Sequence, residues 1–409
     1  MKKISKKQRI IIAISIALLL IIIAILVISN IIINKSKLKS EGYFTTTANE
    51  SSTLVASYIK EGITIGGITG TLEILDTSDA TAKPEDIAWG KTGYVNGIKI
   101  TGTRIDTVSQ GKEAKIYFDS NTRLIDDLNN NLIIPEGFKI AEDSGTKVED
   151  GIVIEDKDGN QFVWIPAKTG DGVTVHTKAK GDVTIVYKRT DYGKQYGSYS
   201  DYSETLPTDE ETSVNANGGY YIGRYEAGDK ESTEAKTMRA GETENKTVTI
   251  KKDQVPYNYV SIANCKSLAE RMSSTQGYSA QTKLVSSYAW DTAISFMQIT
   301  NEDYGSSSIE GNYIDTAFDY IDIKGTRQTK NKNADILVPT GQTTAVCNIY
   351  DMGGNLWEYT TERNSYTDRP YTGRGGDYYG YYTNIPAGYR NYGAGIPSIS
   401  AGFRLTLYL

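Results

Sequence analysis

Beyond about residue 132, the apolar residues come in runs too short for helices, and glycine-bearing turns separate most of them. The clearest case is GIVIEDKDGNQFVWIPAK, residues 151–168. Ile152 and Ile154 alternate with polar neighbours, Asp158-Gly159 supplies a turn, and Phe162-Val163-Trp164-Ile165 stops at Pro166. Alternation places one set of side chains on one face of a strand, Asp-Gly favours a tight hairpin, and proline cannot continue a ladder. YYIGRYEAG, residues 220–228, reads as a further strand. Two stretches carry the helical period. IANCKSLAERM (262–272) puts Ile262, Cys265, Leu268, Ala269 and Met272 on one face, and AWDTAISFMQ (289–298) does the same with Trp290, Ala293, Ile294 and Met297. Residues 323–344 are mostly polar and loop-like. The expected class is α+β, with short strands, few helices and much loop.

Composition narrows the chemistry. The chain has 409 residues, of which 39% are apolar, enough for a sizeable core and more than one domain. A net charge of −6 lacks the basic footprint of a nucleic-acid binder, so no nucleic-acid partner is expected. One histidine (His176) and two cysteines (Cys265, Cys347) leave little material for histidine relays, zinc clusters or Cys/His pairs. Thirty tyrosines against seven phenylalanines favour a large ring whose hydroxyl tolerates water, which suits a β-rich binding protein.

The N-terminal stretch carries Lys2, Lys3, Lys6, Lys7 and Arg9, followed by an apolar run over residues 10–33 that only Ser15, Ser29 and Asn30 interrupt. Roughly 20 such residues span a bilayer as a helix. No small-x-small cleavage site ends the run. The expectation is an uncleaved single-pass anchor with the basic tip in the cytoplasm and the remainder outside the cell membrane. Residues 1–34 are then tip and anchor, and 35–57 a linker. GITIGGITGT (62–71) is echoed by GYVNGIKITGT (93–103), each an alternating pattern around a glycine turn ending in Thr-Gly-Thr, so 58–110 reads as small β-hairpin modules. Residues 111–131 read as a second linker, and 132–409 as the head. Outside the cytoplasm Cys265 and Cys347 either pair or remain separate buried thiols.

YDMGGNLWEYTTE, residues 350–362, interrupts an aromatic run with two glycines and three acids, Asp351, Glu358 and Glu362. Three readings are open. A metal loop would use side-chain and backbone oxygens, since calcium takes six to eight of them in forgiving geometry and glycine lets carbonyls turn inward. A plain turn would leave Glu358 solvated or salt-bridged. An acid/base pair for sugar hydrolysis would need carboxyls roughly 5–9.5 Å apart across a cleft, and nothing else in the sequence suggests that reaction.

The succession FVWIP, YYIGRYEAG, a helix, LVSSYAWDTAISFM, NIYDMGGNLWEYTTE, GRGGDYY and AGFRLTLYL resembles the sulfatase-modifying-factor family, the formylglycine-generating-enzyme-like relatives of the C-type lectin fold. The resemblance covers residues 132–409, about two thirds of the chain. Asp351–Glu358, Arg374-Gly375-Gly376 and Gly402-Phe403-Arg404 are its specific part. The polar insertions at 169–218, 229–253 and 304–332 depart from it. It implies a Ca2+ loop with carboxylates from Asp351 and Glu358 and carbonyls from Gly354 and Leu356. It also implies that arginines 374, 390 and 404 tie loops to carboxylates or carbonyls by bidentate contacts. In catalytic members two cysteines after the Arg-Gly-Gly segment bind copper and oxidise a substrate cysteine. Here Gly380 and Ile385 stand at those places, and neither offers the soft sulfur that copper selects. The implied protein is a non-catalytic member. An oxidase with an unrecognised site and an inert, phage-tail-like surface subunit are the alternatives.

RGGDYYGYYTNIPAGYRNYGAGIPSIS, residues 374–400, is dense in Tyr, Asn, Ser and Gly, the composition of recognition loops that gain contact area at low entropic cost. It also resembles the variable tails of diversity-generating-retroelement targets, which end in Gly-Phe-Arg as this chain nearly does. Tyr378, Tyr379, Tyr381, Tyr382, Asn384, Tyr389, Asn391 and Tyr392 are therefore the expected contacts to an extracellular protein or glycan. Alternatively, these tyrosines fill a loop-rich interior.

Overall fold

A computed structural model describes residues 55–72, 77–232, 247–307 and 309–409. The chain divides into two units, Met1–Asp76 and Thr77–Leu409. In the first, a 3-10 turn at Ala56–Tyr58 precedes a hairpin of Thr64–Ile65 with Ile68–Thr69. In the second, a 3-10 turn at Pro84–Asp86 precedes a hairpin of Thr92–Val95 with Ile98–Thr101, closed by Asn96-Gly97 with φ of 50° and 74°. The same bonds recur in both modules. Thr71 N–H donates to the Ala56 carbonyl at 2.9 Å and Thr103 N–H to the Pro84 carbonyl at 2.8 Å. Gly70 N–H donates to Ile63 and Gly102 N–H to Lys91, each at 2.8 Å. The middle glycine of each Thr-Gly-Thr leaves no room for a side chain, because a Cβ would stand 2.2 Å from the Ile59 or the Ala88 carbonyl oxygen. The echo in the sequence is thus an echo in the backbone.

The main sheet of the larger unit has six antiparallel strands in the order Gln281–Leu284, Leu405–Tyr408, Gly219–Gly223, Gln161–Pro166, Val153–Glu155, Lys139–Ile140. Its central strands are buried on both faces, which explains why FVWIP and YYIG read as continuous apolar runs. Four α-helices occur among the described residues: α1 (Val108–Ala114), α2 (Thr208–Asn217), α3 (Ile262–Gln276) and α4 (Ser287–Met297). Ser261 and Ser286 cap α3 and α4, their hydroxyls accepting from Asn264 and Ala289 N–H groups. The core joins Trp164, Tyr220, Tyr221, Leu405 and Leu407 of the sheet to Leu268, Trp290, Ile294 and Met297 of the helices.

A second sheet orders Tyr202–Ser203, Trp357–Asn364, Tyr371–Arg374 and Arg390–Gly393 antiparallel, and Ala401–Phe403 joins Trp357–Asn364 in parallel. The segment 111–131, expected as linker, contains most of α1 and the strand Thr122–Ile125, and Leu124 is in the core. The polar insertion at 169–218 folds as a hairpin, Val173–Thr177 with Gly181–Ile185, and as α2.

One expectation is corrected. No helix among the described residues is long and apolar enough to cross a membrane. The longest, α3, has 15 residues and buries one face only, short of the roughly 20 apolar residues a span needs. The run at 10–33 lies outside the described residues. The class is α+β and mostly sheet, and the transmembrane helix, membrane partner and cell-membrane localisation expected above are withdrawn with the span.

Candidate functional site

The strand Trp357–Asn364 sorts its residues by parity. Glu358, Thr360 and Glu362 are fully buried, while Trp357 is half-buried on the opposite face. Cross-strand register then aligns Glu358 with Arg374, and Arg374 with Arg390. The inner face of this sheet is therefore charged and its outer face aromatic, the reverse of an ordinary half-buried sheet.

Asp291 of α4 reaches the inner face. Its Oδ1 accepts from Arg374 Nη2 at 2.6 Å, its Oδ2 accepts from Arg390 Nη2, and the Thr190 N–H donates to it at 2.9 Å. Glu362 accepts from Arg390 Nε at 3.1 Å and from Arg189 Nε at 3.0 Å. Arg374 and Arg390 also donate to the carbonyls of Gly388 and Thr190 at 3.2 and 3.0 Å. Two carboxylates and three guanidiniums thus pin the strands to α4 and the 374–390 loop. The sequence signal for Asp291 was one acid within an otherwise apolar helix, and for Glu362 its even spacing from Glu358.

The expected calcium residues sit beside this network. Glu358 is fully buried and gripped bidentately by Arg404, at 2.9 Å from Nε and 2.7 Å from Nη2. Asp351, at φ 60°, accepts from Gly341 N–H at 2.7 Å. Gly354, at φ 71°, turns the chain where a Cβ would lie 2.2 Å from the Asn312 carbonyl oxygen, and Leu356 is buried. A third carboxyl, Glu226 of the Gly223–Gly228 segment, accepts from Asn355 through Oε1, while its Oε2 has no partner. Burial, with Asp351 and Glu358 nearby, pushes Glu226 well above the carboxylate range, and burial raises Asp351 to about 6. Arg404 already supplies the cation that Glu358 needs. Both Glu358 oxygens accept from Arg404, so Glu358 stands here as one half of a buried ion pair.

The two positions that the sequence resemblance matches to catalytic cysteines, 380 and 385, meet in space. A Cβ on Gly380 would stand 1.9 Å from Ile385 Cδ1, so the two positions are neighbours and are filled by a hydrogen and a branched alkyl chain. Cys265 and Cys347 are both free and buried. Cys347 Sγ lies 3.2 Å from Thr300 Oγ1, and burial pushes its thiol up to about 12, which leaves it without thiolate at neutral pH.

The tyrosine-rich stretch divides into two regions. Tyr379 and Tyr381 are exposed, Asn384 is exposed, and Tyr382 is half-buried, all on the loop that follows Asp377. Tyr378 is buried and donates to the Tyr379 hydroxyl at 3.0 Å. Asn391 and Tyr392 lie on the strand Arg390–Gly393 and line a trough of about 420 Å³ together with Trp357, Tyr359 and Arg369. Tyr389 backs the trough, its ring centroid 5.9 Å from that of Trp357. The Tyr392 ring packs at 4.3 Å on Tyr196 and at 5.4 Å on Tyr366. Trp357 and Arg369 were not among the expected contacts. Trp357 showed itself only as the odd neighbour of Glu358.

No family model matches the chain, and no curated protein matches it. Solved structures similar to parts of it include CarF, at 17% identity and a TM-score of 0.27 over 38% of this chain and 67% of that one. PvdO from Pseudomonas aeruginosa is similar at 15% identity and a TM-score of 0.35 over 63% and 98%. Treponema denticola variable protein 1 is similar at 13% identity and a TM-score of 0.28 over 61% and 96%. At these TM-scores the likenesses establish neither a family nor an activity.

Proposed function

We propose that the larger unit is a non-catalytic, formylglycine-generating-enzyme-like domain that binds a protein or glycan ligand on its tyrosine-rich C-terminal surface. The observation that carries this reading is the sheet with inverted faces. Its charges are consumed internally by ion pairs, while Trp357, Asn391 and Tyr392 are left at an open trough. Buried charge networks fix strand positions, and aromatic residues with small polar neighbours make adaptable contact surfaces. Supporting it from the side of chemistry, the paired positions 380 and 385 carry no sulfur, and both thiols of the chain lie buried elsewhere.

The test is a screen of the purified protein against immobilised proteins and glycans, repeated with Tyr381→Ala and Tyr392→Ala after each variant is shown to be folded. Saturable binding that either substitution weakens at least tenfold is expected. Hits that ignore both substitutions, or no hit at all, would overturn the assignment.

A further inference from the structure

Two glycines lie among the residues that line the trough. Register pairs Tyr359 with Gly373 and Gly373 with Asn391, so along this row a glycine separates an aromatic ring from an amide. Two residues along, Tyr371 pairs with Gly393, and Gly393 also lines the trough. Gly373 is buried, and a Cβ added there would stand 3.6 Å from the Trp357 side chain, ordinary contact, so the tryptophan lies against this glycine.

Of the polar groups that line the trough, Tyr359 donates to the Ile396 carbonyl at 3.1 Å and Ser398 accepts from the Ser400 N–H at 3.3 Å, which leaves Asn391 and Arg369. The Asn391 amide has no hydrogen-bond partner among the described residues, although its residue is only partly exposed. Arg369 lines the same trough, and its guanidinium lies 4.9 Å over the Tyr392 ring, which holds the cation in place without neutralising it. Its one carboxylate neighbour, Asp368, is 3.8 Å away and largely exposed, a contact of little energetic weight. Among the described residues that line the trough there is no carboxylate, and Asp377 stands beside it, bonded to Ser400 and Trp357.

A half-buried indole, an amide able to donate and accept at once, and a guanidinium stacked on Tyr392 together match one ligand chemistry. A pyranose ring presents an apolar C–H face to an aromatic ring and adjacent hydroxyls to an amide, and a carboxylate substituent pairs with arginine in bidentate geometry. We infer that the Trp357–Asn391 trough binds an acidic saccharide, its ring against Trp357, its hydroxyls on Asn391 and its carboxylate on Arg369. This inference rests on the binding reading above and narrows it to one ligand class.

Titration calorimetry on the whole protein tests it, with a galacturonate trisaccharide and 3′-sialyllactose as acidic probes and lactose as the neutral control. Binding of at least one acidic probe is expected, at least tenfold tighter than lactose. Arg369→Gln should remove that preference, Arg369→Lys should restore part of it, and Trp357→Ala should weaken binding by removing the ring on which the sugar stacks. The two acidic probes separate a uronic acid from a sialic acid as the source of the carboxylate. Equal binding of lactose, or an acidic preference unchanged in Arg369→Gln, would overturn the inference. So would the absence of binding by every saccharide, and in that case a protein hit in the screen that Tyr392→Ala abolishes would leave the binding function standing.

Discussion

Asp291→Ala is expected to destabilise the larger unit by about 3–5 kcal/mol, the cost of stripping one partner from a buried ion pair. Asp291 is fully buried and joins Arg374 and Arg390, so its loss takes from Arg374 its close carboxylate and leaves Arg390 with Glu362 alone, behind a wall of α4 and the sheet. Truncating an exposed pair such as Lys115–Glu142 should cost at most about 1 kcal/mol, because solvent already screens it. Urea unfolding at neutral pH measures both. A loss below about 1 kcal/mol for Asp291→Ala would mean that the network does not hold the second sheet to α4.

Arg404→Leu is expected to be as costly, about 3–5 kcal/mol, since Glu358 would remain buried with no cation. Glu226→Gln should be nearly neutral at pH 7, because a side chain whose burial favours the protonated form exchanges one uncharged group for another. The sign of the pH dependence follows from the upward shifts of Glu226 and Asp351. Each carboxyl holds its proton more tightly in the folded chain than in the unfolded one. The stability this contributes is complete below the ordinary carboxylate range of about 4. It is lost as pH rises through about 6 for Asp351, and as pH rises through the raised value of Glu226. Glu226→Gln should flatten that decline. Because Arg404 occupies both Glu358 oxygens, millimolar calcium should leave the melting temperature unchanged. A calcium-dependent rise that Asp351→Ala abolishes would instead assign the loop to the metal.

The sequence made the alternating and continuous apolar patterns legible, since these depend on nearest neighbours. The Asp158-Gly159 hairpin folds as Val153–Glu155 with Gln161–Pro166, and the two periodic stretches fold as α3 and α4 within a few residues of their expected bounds. The Thr-Gly-Thr echo was legible because glycine is required where a Cβ would strike a carbonyl. Helix α2 was not legible. TDEETSVNAN has almost no apolar stripe, and it is placed by Glu210, which accepts from Tyr187 and Ser286 hydroxyls, and by Val214 in the core. Those partners are 23 and 76 residues away in the chain. The same limit applied at the site. Glu358 and Arg404 were each recognisable, but their mutual pairing is set by strand register across 46 residues. Trp357 and Arg369 became visible only once the fold brought them to one trough with Asn391.

The central claim is that this fold grips a ligand without oxidising it. Its most direct test is to incubate the purified protein with copper, oxygen and a cysteine-containing peptide, and to look for the peptide aldehyde by mass spectrometry. With Gly380 and Ile385 side by side where sulfur would be needed, the peptide should be recovered with its thiol unconverted to aldehyde. Aldehyde accumulating above the protein-free control would contradict the account.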